Sequence, residues 1–369
     1  MHLAFLETKA HQSPYLPFQR FRWVQCQLDL LSRLRTPGAV EKALKSLPPT
    51  LDKTYESLLD RIEGEEDRQL TRQILKYLAF SFRPLSPREL DVMLQVTPKM
   101  RQLDESKGLL HPTEILDICG SLIKYNDKAG GLTLAHHSVK TYLTSNPRNR
   151  ASFFRIDEKE AHRALTLTCL TYLSLDVFSG EQDYASSVHK RFPFLDYATQ
   201  HWALHMKEVT DTNEPLWSTL RSFLLSAEEG RNNFANWVQL LLPTSRNAKT
   251  TLPLYYAASY GLTTVVKYLI DIGTDLEARG GRGGATPINI AAFRGNLKVV
   301  TLLHEHGADP LKPDLGSGLS AVEWAKINRH SQVVDYFEKQ GYGKWLAAVE
   351  RSGFAPRLDY AAIKDWQQG

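Results

Sequence analysis

Thr286–Pro310 reads TPINIAAFRGNLKVVTLLHEHGADP, and the chain writes nearly the same line on either side of it: LPLYYAASYGLTTVVKYLIDIGTD from Leu252 and SAVEWAKINRHSQVVDYFEKQG from Ser320. Ala257, Ala291 and Ala325 recur every 34 residues, as do Gly273, Gly307 and Gly341 and the pairs Val265-Val266, Val299-Val300 and Val333-Val334. So many positions in one phase mark a stacked-repeat architecture, in which each unit buries its apolar faces against its neighbours.

Each unit reads as two helices and a loop. Thr286 can cap a helix that opens with Pro287, where proline forfeits no hydrogen bond. Ser320 with Glu323 is a capping box. The pairs Ala257-Ala258 and Ala291-Ala292 keep one face small enough for a second helix to lie close. Gly261 and Gly295 stand where a left-handed residue must end the first helix, and the third copy puts Arg329 there, after Asn328. Val299, Val300, Leu302 and Leu303 are the buried face of the second helix, which stops at Gly307.

These units resemble ankyrin repeats, whose common pattern is TPLHLAA, then G, then VVxLLLxxGAD. The resemblance covers roughly residues 250–342, strongest in the middle copy. None of the three keeps the histidine of TPLH; Tyr255, Asn289 and Glu323 occupy its place, which predicts the loss of a turn-fixing hydrogen bond and stability below consensus. The family implies a binding surface, with Arg279, Arg282, Asn289, Phe293, Arg294, Lys312 and Asp314 as the expected partner contacts on a concave face, or else as merely solvated positions. The glycine-rich stretch Glu277–Ala285, EARGGRGGA, has no strand before it and no GxxxxGK[ST], so it reads as a hairpin between repeats and not as a phosphate loop.

Upstream, Thr36-Pro37 starts a helix, Pro48-Pro49 breaks it, and Leu51, Tyr55, Leu58, Leu59 and Ile62 form an apolar stripe that needs a partner. FRWVQCQLDLL from Phe21 and ALKSLPPTLDKTYESLLDRI from Ala43 resemble the helical end of fungal NACHT-type signal-transduction ATPases. Arg72 to Phe82, a helix opened by the capping box Ser86–Glu89, and Pro112 to Cys119 stopped by Gly120 give three helices. Ser121 to Tyr125 and Leu132 to His136 read as two strands around NDKAGG, followed by a helix from Ser138 to Thr144. Three helices and a hairpin make a winged helix. ILKYLAFSFRPLSPREL and LAHHSVKTYL resemble the winged helix domain that follows the NACHT module in fungal proteins, a domain named after GPI inositol-deacylase. That resemblance makes His136 a nucleotide-sensor candidate, but only beside an ATPase core; the alternative is a polar residue satisfied by the local backbone. No Walker lysine, Walker B strand or parallel sheet precedes residue 18, so the resemblance implies a chain starting near the end of an ATPase module, or one served by an ATPase in trans.

Ala161 to Leu173, Phe194 to His205, Leu216 to Leu225 and Phe234 to Leu242 continue as helices able to cover the first repeat; FPFLDYATQHWALH resembles the linker between winged helix and repeats in the fungal family. Lys344 to Arg351 and Leu358 to Trp366 are expected caps. The fold class is mainly α: a winged helix with a small β-hairpin, a helical linker domain and a short ankyrin-repeat solenoid. The expected boundaries are 1–65 for the end of the NACHT-type region, 66–147 for the winged helix, 148–248 for the linker, 249–342 for the repeats and 343–369 for the cap.

Composition narrows the function. The 369 residues, 42% hydrophobic, suffice for two or three cored domains. The net charge of +4 comes from interspersed charges, with no basic block. The winged helix's third helix carries Glu114 and Asp117 and no lysine or arginine, so no nucleic acid partner is expected. No apolar run approaches the roughly 18 residues of a membrane span and MHLAFLETKAHQSPYL is not a signal peptide, so no membrane contact and a cytoplasmic location, with the nucleus also open, are expected. Cys26, Cys119 and Cys169 lie far apart and read as buried thiols. His201 and His205 sit one helical turn apart without a third ligand, so no metal and no cofactor is expected. Without GxSxG or a phosphate loop the chain is expected not to be an enzyme. The remaining class is a scaffold or sensor that binds a protein ligand through its repeats, with a NACHT ATPase in trans as a second expected partner; the alternatives are the tail of an active NTP-hydrolysing switch and nucleic-acid binding through the winged helix.

Overall fold

Among the described residues proline opens five helices, at Pro17, Pro37, Pro87, Pro253 and Pro287, each at the position where its missing N–H costs nothing. The structure is a computed structural model that describes residues 17–32, 35–45, 47–109, 111–145, 153–180, 191–243, 250–281 and 283–352. The chain forms two compact units, residues 1–95 with 104–161 and residues 96–103 with 162–369. The expected cap from Leu358 to Trp366 and the expected contact Arg282 lie outside the described residues.

In the first unit α1 (Pro17–Ser32), α2 (Pro37–Lys45) and α3 (Leu51–Asp60) precede α4 (Glu65–Phe80), α5 (Pro87–Gln95) and α6 (Glu114–Cys119). Strands β1 (Ile123–Asn126) and β2 (Gly131–Leu134) pair antiparallel with Ile123 opposite Leu134, and α7 (His137–Thr144) follows. Leu85 bridges Leu132, adding a third short edge to the hairpin. The capping box is present: the Ser86 N–H donates to Glu89 Oε2 at 2.7 Å and the Glu89 N–H to Ser86 Oγ at 3.2 Å. Arg83 pairs with the same carboxylate at 2.5 Å. Gly120, at φ 52°, ends α6 as expected. Ile74, Leu75, Leu85, Leu90, Met93, Ile115, Leu132 and Val139 fill the core.

The apolar stripe of α3 finds its partner within the chain. Leu51, Tyr55 and Leu59 are buried, and α3 packs on α1 and α7. Gln27 Nε2 donates to Thr54 Oγ1 at 2.9 Å and Trp23 Nε1 donates to the Pro48 carbonyl at 2.9 Å, so both buried donors at this seam find acceptors.

The second unit begins with most of α8 (Glu158–Leu173) and continues with α9 (Leu195–Lys207), α10 (Leu216–Leu224) and α11 (Asn233–Leu241). The repeats follow as α12 (Pro253–Tyr260) with α13 (Thr263–Asp271), α14 (Pro287–Arg294) with α15 (Leu297–Glu305), and α16 (Ala321–Ile327) with α17 (Ser331–Phe337). α12, α14 and α16 stack in one row and α13, α15 and α17 in a second. The left-handed stops fall where the phase places them: Gly261 at φ 75°, Gly295 at φ 73° and Arg329 at φ 58°. Thr286 and Ser320 cap their helices, the latter in a full capping box. α18 (Gly343–Ser352) then packs on α16 and buries Leu346.

The linker does cover the first repeat. Trp237 of α11 meets Tyr256 of α12 edge-on at 5.1 Å, and Trp217 of α10 meets Tyr268 of α13 at 5.4 Å. His201 and His205, one helical turn apart on α9, are both buried, 8% and 0% exposed. Cys26, Cys119 and Cys169 are free and buried.

Candidate protein-binding face of the repeats

Successive repeats are joined by two fingers, residues 273–286 and 307–320, and these are tied to each other. The first closes on reciprocal bonds between Gly280 and Ala285 at 2.9 and 3.1 Å. Arg279 donates from one guanidinium nitrogen to the carbonyls of Gly284, at 2.8 Å, and Pro313, at 2.9 Å, so it clamps one finger to the next. Glu277 accepts the Asp309 N–H at 2.8 Å and pairs with Lys312 Nζ at 3.1 Å. The N–H groups of Leu315 and Gly316 both reach the Gly283 carbonyl.

The three residues standing in for the consensus histidine do different work. Asn289 is fully buried and donates from Nδ2 to the Lys312 carbonyl at 2.9 Å, so the middle copy does not lose the turn-fixing bond that the sequence led us to subtract. Glu323 completes the capping box. Tyr255 lies under the first finger and accounts for two of its glycines: a Cβ on Gly280 falls 2.7 Å from Tyr255 Cγ, and one on Gly281 falls 2.2 Å from the Tyr255 hydroxyl. Gly281 also sits at φ 65°, where a side chain is strained. Gly281→Ala is therefore expected to lower stability by about 2 kcal/mol, from the backbone and the clash together. Urea unfolding of the two proteins checks this, and an unchanged midpoint refutes the packing account of the glycine pair.

The expected partner contacts divide accordingly. Asp314 and Asn289 are corrections: both are buried, and the hydrogen bonds they make lie inside the repeats. Asp314 accepts Trp324 Nε1–H at 2.7 Å, Ser317 Oγ–H at 2.6 Å and the N–H groups of Ser317 and Gly318 at 2.5 and 3.1 Å. Arg279 and Lys312 remain on the fingers, engaged as described. Phe293 and Arg294, at the end of α14, are partly exposed. The Phe293 ring meets Trp324 edge-on at 4.9 Å, and the Arg294 guanidinium lies 5.8 Å from the Phe293 centroid. Burial lowers the Arg294 pKa, against the weaker pull of Tyr255 and Tyr260. A partly desolvated guanidinium among aromatic rings is a common centre of a protein interface.

Sequence reasoning missed Leu315, 71% exposed at the tip of the second finger, and Trp345, 55% exposed on α18. The only signal for Leu315 was a leucine inside the polar loop DLGSG.

In the first unit His136 caps α7. Its Nδ1 accepts the Ser138 N–H at 3.3 Å and lies 2.7 Å from Ser138 Oγ, which lies 2.9 Å from the Tyr55 hydroxyl. Nδ1 is thereby the acceptor and Nε2 carries the hydrogen. Burial, followed by His137, Arg22 and Lys124, lowers its pKa.

A model described as ankyrin repeats in three copies matches residues 223–314. The repeats are ankyrin repeats. That match begins in α10 and ends before the third unit, which stacks on the second as the second does on the first. The GPI inositol-deacylase winged helix domain matches residues 58–157, which hold α4 to α7 and the hairpin. Azaphilone pigments biosynthesis cluster protein L of Monascus ruber is 28% identical over 306 residues, 74% of this chain and 63% of that protein. Vegetative incompatibility protein HET-E-1 of Podospora anserina is 29% identical over 134 residues, 36% of this chain and 9% of that protein. Zinc finger CCCH domain-containing protein 50 of Oryza sativa is 37% identical over 100 residues, 26% of this chain and 15% of that protein. The chain thus spans less than two thirds of the length of each of these relatives. Among the described residues no helix is long and apolar enough to cross a membrane.

Proposed function

We propose that this chain is a non-catalytic interaction protein whose ankyrin face binds a protein ligand, and that it acts as the sensor and regulatory part of a fungal NACHT-type ankyrin protein of the self/non-self recognition kind. The observation that carries this is the face itself: clamped fingers beside an inner helix that ends in Phe293 and Arg294, on a stack whose first repeat is covered by the linker. The winged helix match and the likeness to HET-E-1 support the regulatory setting.

Docking onto a NACHT ATPase in trans fits if it uses a surface other than the α3 stripe, because α1 and α7 already occupy that. A second reading keeps His136 as the sensor in such a complex. It is favoured by the cations that act on it, Arg22 and Lys124, which form a setting suited to phosphate.

Quantitative affinity enrichment with the wild-type chain and a Phe293→Ala, Arg294→Glu variant tests the first reading. The expected result is a protein that binds the purified wild type directly and loses about tenfold or more in affinity with the variant, while the variant's circular dichroism is unchanged. Equal retention of every bound protein by the two chains overturns the assignment of this face.

A further inference from the structure

Of the two histidines that α9 carries one turn apart, His205 meets a third from α8. His162 is 6% exposed and His205 is fully buried, and their Nδ1 atoms are 2.9 Å apart. Two imidazoles hold that contact only when one Nδ1 carries the hydrogen and the other accepts it. The opposite nitrogen of His205, Nε2, lies 2.8 Å from the Tyr197 hydroxyl. The row His162, His205, Tyr197 is thus a chain of hydrogens pointing all one way or all the other. His201 stacks on the Tyr197 ring, 4.4 Å between centroids, and its Nδ1 lies 3.0 Å from the Tyr197 carbonyl, which fixes the hydrogen on that nitrogen.

The surroundings favour the uncharged state. α8 brings Thr166, whose hydroxyl donates to the His162 carbonyl, and Arg163, which is paired with Asp211. The charged residues of α9 itself, Asp196 and Lys207, are exposed. α11 brings Trp237 and Asn236, and α12, PLYYAASY, carries no charged side chain. Burial first, then the like-signed His162 and His201, hold His205 down to about 2.

The same helix supports the repeats. Trp237 Nε1 donates to the Thr199 carbonyl, two residues after Tyr197, at 2.9 Å, and the Trp237 ring meets both Trp202 and Tyr256 of the first repeat. Loosening α9 removes the acceptor that positions Trp237.

We propose that the His162–His205–Tyr197 row is a proton-operated release built into the linker: acidification opens α8 from α9 and uncovers the first ankyrin repeat. The sign follows from linkage. In the opened state an imidazole titrates near 6.5, so between that pH and the depressed folded value the open form binds a proton that the closed form does not. Closure is therefore fully favoured above about pH 6.5. Each pH unit below it shifts the balance toward opening by about tenfold through His205 alone.

Amide hydrogen exchange of the full chain, compared as protection factors at pH 7.5 and 5.5, tests this. The expected result is a loss of about tenfold or more in α9 and α12, larger than in α14 and α16, and a reduced loss in His205→Gln, whose amide can bridge the same partners without titrating. Equal pH dependence in wild type and variant overturns the proposal. Should His205→Gln fail to fold, the His205 ring resonances of the wild type decide: a neutral ring down to pH 5 in the closed protein is expected, and titration near 6.5 with α9 still protected refutes the release.

Discussion

Asp314→Ala is expected to lower the stability of the repeat stack by about 3 kcal/mol, because one carboxylate there closes the second finger and anchors the third repeat together. The wild-type side chain accepts two bonds from the backbone of Ser317 and Gly318, one from the Ser317 hydroxyl and one from the Trp324 indole, and it is 6% exposed. Removing it leaves buried donors without acceptors, and it is this desolvation, more than the net worth of each bond, that sets the cost. Asp314→Asn is the discriminating variant. Its carbonyl oxygen can keep the loop bonds, but its amide group turns a donor toward an indole that is also a donor, so it should lose about half as much. With an m-value of about 2 kcal/mol per molar urea, the alanine variant's repeat transition moves down by about 1.5 M. A shift of Ala and Asn variants by the same small amount rules out Asp314 as the organising group of the finger.

Asp314, a partner contact by sequence and a buried residue in the structure, marks where sequence stops informing. The helices, their caps and their stops were legible because each rests on local chemistry: proline at a first turn, Ser320 answering Glu323, glycine or Arg329 in a left-handed stop. The stacking followed from the period, since a unit with two apolar faces must meet its neighbours. Exposure of a polar residue on a finger has no such local signature. Asp314 and Asn289 are buried by contacts to residues 10 and 23 positions away, and nothing in DLGSG or PINIAA announces them. The sequence reads EARGGRGGA as a hairpin between repeats and is silent on why it is glycine-rich, whereas two of its glycines are required by the Tyr255 ring 25 residues earlier. The partner of His205 was invisible for the same reason: His162 lies 43 residues upstream, on a helix whose own pattern reads as ordinary amphipathic core. The α3 stripe was a correct signal, buried on α1 and α7.

The largest loss is expected at the junction of linker and repeats. Trp237 is 1% exposed and its ring meets Trp202, Phe223, Phe234 and Tyr256 at centroid distances of 5.1–6.0 Å. Trp237→Ala opens a cavity among these rings and removes the indole's bond to the Thr199 carbonyl, so about 4 kcal/mol should be lost. Trp237→Phe keeps an aromatic fill and gives up the hydrogen bond and part of the volume, for about 2 kcal/mol. Trp345→Ala, on a helix of the same stack but 55% exposed, should change stability by less than about 0.5 kcal/mol and serves as the matched control. The loss should also be local. In a stack each unit is stabilised by its neighbours, so exposing one end frays the nearest repeat first. Hydrogen exchange in Trp237→Ala should therefore drop most in α12 and α13 and least in α16 and α17. A uniform drop across all three repeats is evidence that the solenoid opens as a single cooperative block, and in that case the linker acts as part of the repeat core and not as a cover at its end.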